Sequence, residues 1–116
     1  MELERYLLIS AVLFTIGGYG ALSRRNIVTV VMSIEIMFNA VIVALVAMSR
    51  FITPASARIS DVSPGDVAHW LLTGQTLAVF VIVVAAAEVA LALALVIALF
   101  RHKDNVDITE VNLLRH

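Results

Sequence analysis

Two carboxylates stand alone inside long apolar runs of this sequence: Glu35 between Ile27 and Ser49, and Glu88 between Leu71 and Phe100. An ionised carboxylate near the centre of a membrane helix costs about 2.5–3.5 kcal/mol on insertion scales, and ionisable groups at that depth are functional sites by default. A carboxyl group that loses its hydration has its charged form disfavoured, which lets it take up and release protons. Neither run contains a Lys or Arg, so neither glutamate has a cationic partner in its own helix, and any such partner belongs to another subunit. The chemistry these residues can do is proton relay.

Their neighbours refine that reading. Asn39 lies four residues after Glu35 and so on the same helical face, where its amide can hydrogen-bond the carboxyl or a neighbouring chain, with Met32 and Phe38 three residues to either side. Around Glu88 the run Ala85-Ala86-Ala87-Glu88-Val89-Ala90 is small, and Ala92 and Ala94 continue it. Small residues let helices approach closely in lipid, where packing replaces the hydrophobic driving force. Gly17-Gly18-Tyr19-Gly20 sits inside an apolar run with no phosphate-binding helix after it, and reads as a packing surface.

The elements that must carry these residues follow from hydropathy. Of the 116 residues 61% are hydrophobic and the mean hydropathy is +1.00, well above the roughly 45–50% apolar usage of soluble domains. Three uncharged or nearly uncharged stretches, at about 6–22, 27–49 and 71–100, are each long enough to cross a hydrocarbon layer of about 30 Å. The expected fold is an all-α membrane protein of three transmembrane helices, one domain over 1–116. Residues 50–70, with Pro54, Pro64, Gly65 and several serines, read as an external loop, and 101–116 as a tail. In the loop, Ser63-Pro64-Gly65-Asp66 has the pattern of a helix start, with Ser63 as cap and Pro64 at the first position, which predicts a short interfacial helix ahead of the third span. Trp70 suits the headgroup level. The tail mixes charges with Val106, Ile108, Val111, Leu113 and Leu114, a pattern for packing against a partner or for a solvated end.

Composition excludes several classes of function. The absence of cysteine removes disulfides, thiol catalysis and iron–sulfur ligation from this chain. His69, His102 and His116 have no ligand-like spacing and read as surface residues, so no metal site is expected. A formal charge of -1 lacks the clustered basic excess that nucleic acid requires. The N-terminus is acidic where a secretory signal would be basic, so the first span is expected to be retained. Three spans put Arg24, Arg25, Arg101, Lys103 and Arg115 on one side and Arg5, Arg50 and Arg58 on the other. The positive-inside bias then places the Arg24-Arg25 turn and the C-terminus in the cytoplasm, with the N-terminus outside.

The segments Ser23-Arg24-Arg25-Asn26, Ser33-Ile34-Glu35-Ile36-Met37-Phe38-Asn39-Ala40, Gly74-Gln75, Ala85-Ala86-Ala87-Glu88-Val89-Ala90 and Phe100-Arg101-His102 together resemble a known family. It is the family of the K subunit of bacterial respiratory complex I, called 4L in mitochondria, which also has photosynthetic members. The resemblance covers most of the chain. It implies a membrane-arm subunit of proton-pumping NADH:quinone oxidoreductase in the bacterial inner membrane, a hetero-oligomer whose neighbours are other membrane-arm subunits and the lipid bilayer. It assigns proton relay to Glu35 and Glu88, and a supporting cytoplasmic-side role to Arg24, Arg25 and Asn26. It implies no cofactor in this chain, a non-redox part of the enzyme, with FMN, iron–sulfur clusters and quinone on other subunits. The stretch 50–70 is longer than that family usually shows.

Two other readings remain open on the sequence. The C-type subunit of a multisubunit cation/proton antiporter is similar in having three spans, but a carboxylate at the position of Glu35 is not expected there. A homo-oligomeric small proton-coupled transporter would also use a membrane glutamate. The division of two glutamates over two helices, and the lack of aromatic rings around them to bind a hydrophobic cation, speak against it. Co-purification with flavin and iron–sulfur subunits separates the first reading from both rivals.

Overall fold

Hydrocarbon offers the backbone no hydrogen-bond partner, so a segment that crosses it must satisfy its N–H and C=O groups internally. The computed structural model describes residues 2–52 and 63–111, and among these it has three α-helices, α1 (Glu2–Ser23), α2 (Ile27–Phe51) and α3 (Pro64–Lys103). All three are long and apolar enough to span a membrane, α3 over Leu72–Lys103. The fold is all-α. The sole extended pairing among the described residues is an antiparallel bridge between Asn26 and Asp107.

Local chemistry sets the helix ends. Between α1 and α2 lie only Arg24, Arg25 and Asn26, and Asn26 starts α2 from an extended backbone by accepting the Val28 N–H on its side-chain oxygen at 2.9 Å. The helix start expected at Ser63 is present, but its details differ. The Ser63 hydroxyl donates to Asp66 Oδ2 at 3.1 Å rather than accepting a backbone N–H, and the Asp66 N–H bonds the Ser63 carbonyl at 3.0 Å. The separate interfacial helix is not formed either. Nothing after Gly65 breaks the helix, so the first turns run unbroken into the span and give a helix of 40 residues. At about 1.5 Å per residue that is roughly 60 Å, twice the hydrocarbon thickness. Helix α2 likewise continues to Phe51, so the connection expected over 50–70 narrows to 52–63. Residues 53–62, including Pro54 and Arg58, lie outside the described residues, as do 112–116 and the side chain of Trp70.

Helix α2 is the centre of the bundle, packed against α1 on one side and α3 on the other. Most buried positions are small and recur every seven residues, Ser10 and Gly17 on α1, Ser33, Ala40 and Ala47 on α2, Ala78 and Ala85 on α3, with Val96 of α3 departing from both size and spacing. A seven-residue repeat keeps one face against a neighbour through a left-handed supercoil, and small side chains let the backbones close in. A Cβ added at Gly17 would sit 2.6 Å from Met37 Cγ and 2.7 Å from the Ser33 carbonyl oxygen. One at Gly20 would collide with the Ser33 hydroxyl, and one at Gly74 with the Ser49 side chain. Glycine is therefore required at these approaches, whereas Gly18 has open space around it. The buried Ser10 hydroxyl donates to the Ala40 carbonyl at 2.6 Å and ties α1 to α2. At one end of this pair the Tyr6 and Phe51 rings stack at 5.9 Å.

The outer faces carry large apolar side chains in the open: Leu22 is 91% exposed, Leu8 65% and Phe80 63%. Such a surface is stable against lipid or against other apolar helices, not against water.

Candidate functional site

Rotation about the helix axis decides where each carboxylate goes. On α2, Ser33 and Ala40 face α1. Glu35 follows Ser33 by two residues, about 200° around the axis, and so turns away from α1 toward α3. On α3, Glu88 follows the buried Ala85 by three residues and falls beside the packed face. The two glutamates thereby line one cavity of about 190 Å³, together with Val31, Ile34, Phe38, Val89 and Ala92.

The two ends of this pair differ. Glu35 is half-buried, and its Oε2 is shielded from solvent with no hydrogen-bond partner. Leaving such a group unsatisfied is costly, so a buried acceptor without a donor marks a place where a proton, a water or a neighbouring side chain belongs. Glu88 is exposed on the surface of the isolated chain, which turns it toward whatever covers that face of α3. Both are far from the charged helix ends. Glu35 is ten residues beyond Arg25 and Glu88 thirteen before Arg101, about 15 and 20 Å along their helices.

The other residues singled out by the sequence go elsewhere. Asn39 is exposed and does not line the cavity, and it makes no hydrogen bond to Glu35. Four residues advance a helix by about 40° beyond a full turn, enough to carry its short amide past the cavity rim. Of the two flanking side chains, Phe38 lines the cavity and Met32 points outward, 63% exposed. In the alanine run Ala85 packs in the interface and Ala92 lines the cavity, while Ala86, Ala87 and Ala90 are exposed.

Arg24, Arg25 and Asn26 form the tight turn at one end of α2, with both guanidinium groups exposed. Sequence reasoning placed the tail against a partner or in solvent, but as far as Val111 it folds back onto this turn. Helix α3 ends at Asp104, whose left-handed φ of 54° reverses the chain. The Ile27 N–H then donates to the Val106 carbonyl at 3.0 Å and the Ile108 N–H to the Arg25 carbonyl at 2.9 Å. Asp107 organises the segment. Its Oδ1 accepts the Thr109 hydroxyl at 2.6 Å and the Thr109 N–H at 2.9 Å, opening a single turn of 3₁₀ helix at Ile108–Glu110. These Thr109 bonds, aided by the Arg25 charge and opposed by partial burial, hold the Asp107 carboxyl below its ordinary range. Asn105 adds a bond to Glu110 and accepts the Asp107 N–H at 3.0 Å. The signal for this fold-back is present in the sequence as Asn105-Val106-Asp107-Ile108-Thr109, where Asn and Asp each meet a backbone N–H two residues on.

Comparison with known proteins agrees with this architecture. Residues 5–116 match the family model of NADH-ubiquinone/plastoquinone oxidoreductase chain 4L. An NADH-quinone oxidoreductase subunit K of Salinibacter ruber is 50% identical over 111 residues, covering 96% of this chain and 93% of that protein. An NADH-quinone oxidoreductase subunit K of Desulfitobacterium hafniense is 46% identical over 97% of this chain and 94% of its own length. An NAD(P)H-quinone oxidoreductase subunit 4L of Leptolyngbya boryana is 43% identical over 99% of both chains. Two chains that align end to end leave no net insertion between them, so the 50–70 stretch does not lengthen this chain relative to that one. By these matches and by its three apolar helices, the chain belongs to the NADH-ubiquinone/plastoquinone oxidoreductase chain 4L family.

Proposed function

We propose that this protein is a membrane-arm subunit of a proton-pumping NADH:quinone oxidoreductase and that Glu35 and Glu88 relay protons through the cavity they share. The observation that carries the reading is that one cavity of about 190 Å³ brings together carboxylates from two different helices, one of them with a buried, partnerless oxygen. A volume of that size equals about six waters at roughly 30 Å³ each, enough for a transient hydrogen-bonded path. A proton that reaches Glu35 can pass through such a path to Glu88. Glu88 faces outward from the bundle and hands it to an ionisable group of an adjacent subunit.

The redox steps lie outside this chain. FMN, iron–sulfur clusters and quinone sit on other subunits, and this one contributes to translocation rather than to electron transfer. The largely apolar flanks of α1 and α3, broken on α3 by Glu88, suit neighbouring membrane-arm helices and lipid. The kinship with bacterial subunits K points to the bacterial inner membrane, and the balance of Lys and Arg favours the N-terminus outside and the tail in the cytoplasm. In that orientation Arg24, Arg25 and Asn26 support the site from the cytoplasmic side, with Asn26 setting the start of the helix that carries Glu35.

The test is substitution in the intact assembly. Glu35→Gln and Glu88→Gln keep shape and hydrogen bonding but cannot ionise. Each is expected to leave the subunits assembled and NADH oxidation by an artificial acceptor intact, while lowering quinone-coupled turnover and proton pumping about tenfold or more. Undiminished pumping by both single variants rejects the relay.

A further inference from the structure

The fold-back of the tail joins two helices that carry different halves of the site. Its two backbone bonds run from the residue that begins α2 and the one just before the Asn26 cap to the segment that directly follows α3. Helix α2 holds Glu35 ten residues beyond Arg25, and α3 holds Glu88 nineteen residues before Asp107. On the far side of the glutamates from the tail the contacts of α2 with α3 are small, Ala78 and Ala85 being buried and Gly74 lying against Ser49, and on the near side of Glu88 the buried residue of α3 is the apolar Val96. Among the described residues from Gly74 onward, no hydrogen bond or ion pair between side chains links the two helices. Contacts of that kind resist separation and gross sliding but leave small axial shifts cheap, because each dispersion contact is individually shallow and has little directionality. A pair of backbone hydrogen bonds at the helix end is directional and fixes position along the axis.

We infer that the segment Asn105–Val111 is a positioning latch that sets the axial register of α3 on α2, and through it the placing of Glu88 opposite Glu35. This rests on the relay reading above and adds Asp107 to it as a positioning residue that touches neither carboxylate. Asp107 orders the latch through the two bonds from Thr109, and the Ile108 N–H makes one of the two bonds to the turn.

Two substitutions in the intact assembly test the latch. Ile108→Pro deletes the donor to the Arg25 carbonyl, and Asp107→Ala removes the acceptor that folds the segment while leaving both backbone bonds chemically possible. Each is expected to reduce proton pumping by a factor of about 2 to 30, the range for residues that act through packed neighbours. NADH oxidation by an artificial acceptor should be unchanged. Asp107→Asn, which keeps the Oδ1 acceptor, should restore most of the loss. The readout that separates positioning from general weakening is infrared. The carboxyl-group stretching bands of the two glutamates, identified by their disappearance in Glu35→Gln and Glu88→Gln, should shift in Ile108→Pro and Asp107→Ala and return in Asp107→Asn.

Full pumping with an unmoved band in Asp107→Ala overturns the latch. If Ile108→Pro prevents assembly, Asp107→Ala decides alone by the same two measurements. Should Glu35→Gln and Glu88→Gln both pump normally, the relay falls, and the band shift still reports whether the tail places the carboxyls.

Discussion

At the scale of single residues, the site depends on which way a side chain leaves its helix. Asn39 shares a face with Glu35 by spacing but lies outside the cavity, so Asn39→Ala is expected to change pumping by less than about twofold, whereas Phe38, which lines the cavity, should be sensitive. Measuring pumping for Asn39→Ala beside Phe38→Ala checks the ordering. Ser10→Ala removes the bond to the Ala40 carbonyl. That carbonyl keeps its helical partner, so thermal unfolding of the assembly should reveal a loss near the membrane average of about 0.6 kcal/mol, and below about 1.7. Glu35 and Glu88 were legible in the sequence because a lone charge in an apolar run has no cheaper explanation. That they meet in one cavity was not legible. Their meeting depends on how α2 and α3 rotate against each other, and hydropathy is nearly blind to rotation when the lipid-facing and buried sides are equally apolar.

At the scale of elements, the same blindness hid the packed seam. Ser33, Ala40 and Ala47 look no more interior than Ile36 or Val41, yet the first three are buried and the other two exposed. The glycines and the alanine run at Ala85 betrayed it, and Gly17 and Gly20 do provide the close approach expected of them. Gly17→Leu must displace Met37 or the backbone at Ser33. Overpacking of that kind costs about 1–3 kcal/mol, which should appear as a lowered thermal midpoint of the assembly, while Gly18→Leu, facing open space, should leave it unchanged. The tail is the other element whose placement the sequence left open, because local Asn and Asp turns say that a segment bends and not what it bends onto. Its pH response follows from Asp107, whose carboxylate is held below the ordinary range of about 3.9 by Thr109 and Arg25. A lowered folded-state value means that its contribution is fully present above the ordinary range and is lost as pH falls through the lower value. Lys103, Asn105, Glu110 and Val111 surround it. Protection of the Ile108 amide, corrected for intrinsic exchange, should therefore be the same at about pH 7 and about pH 5.5 and should drop only in stronger acid. Asp107→Asn should abolish that drop.

At the scale of the whole molecule, the chain is 67 Å long but only 25 by 18 Å across, a slim rod with apolar flanks that needs lipid or other helices on every side. The fold class was readable because three long apolar runs allow little else. The length of α3 was not, since its polar first turns pass for a separate interfacial helix until their unbroken run into the span is seen. The absence of cysteine makes orientation directly testable. A single Ser23→Cys, at an exposed position beside the Arg24-Arg25 turn, should react with a membrane-impermeant thiol reagent in inverted vesicles and be protected in right-side-out ones. The reverse pattern would turn the molecule over in the membrane. The close approach at Gly74 has its own consequence. Sliding α3 by one whole repeat, about 10.5 Å, would bring Ala85 to where Ala78 stood but would also drive Val81 into the place of Gly74, against Ser49. A single glycine thus rejects the gross misfit, and what is left for the end of the bundle to settle is the finer placing that keeps the acids face to face.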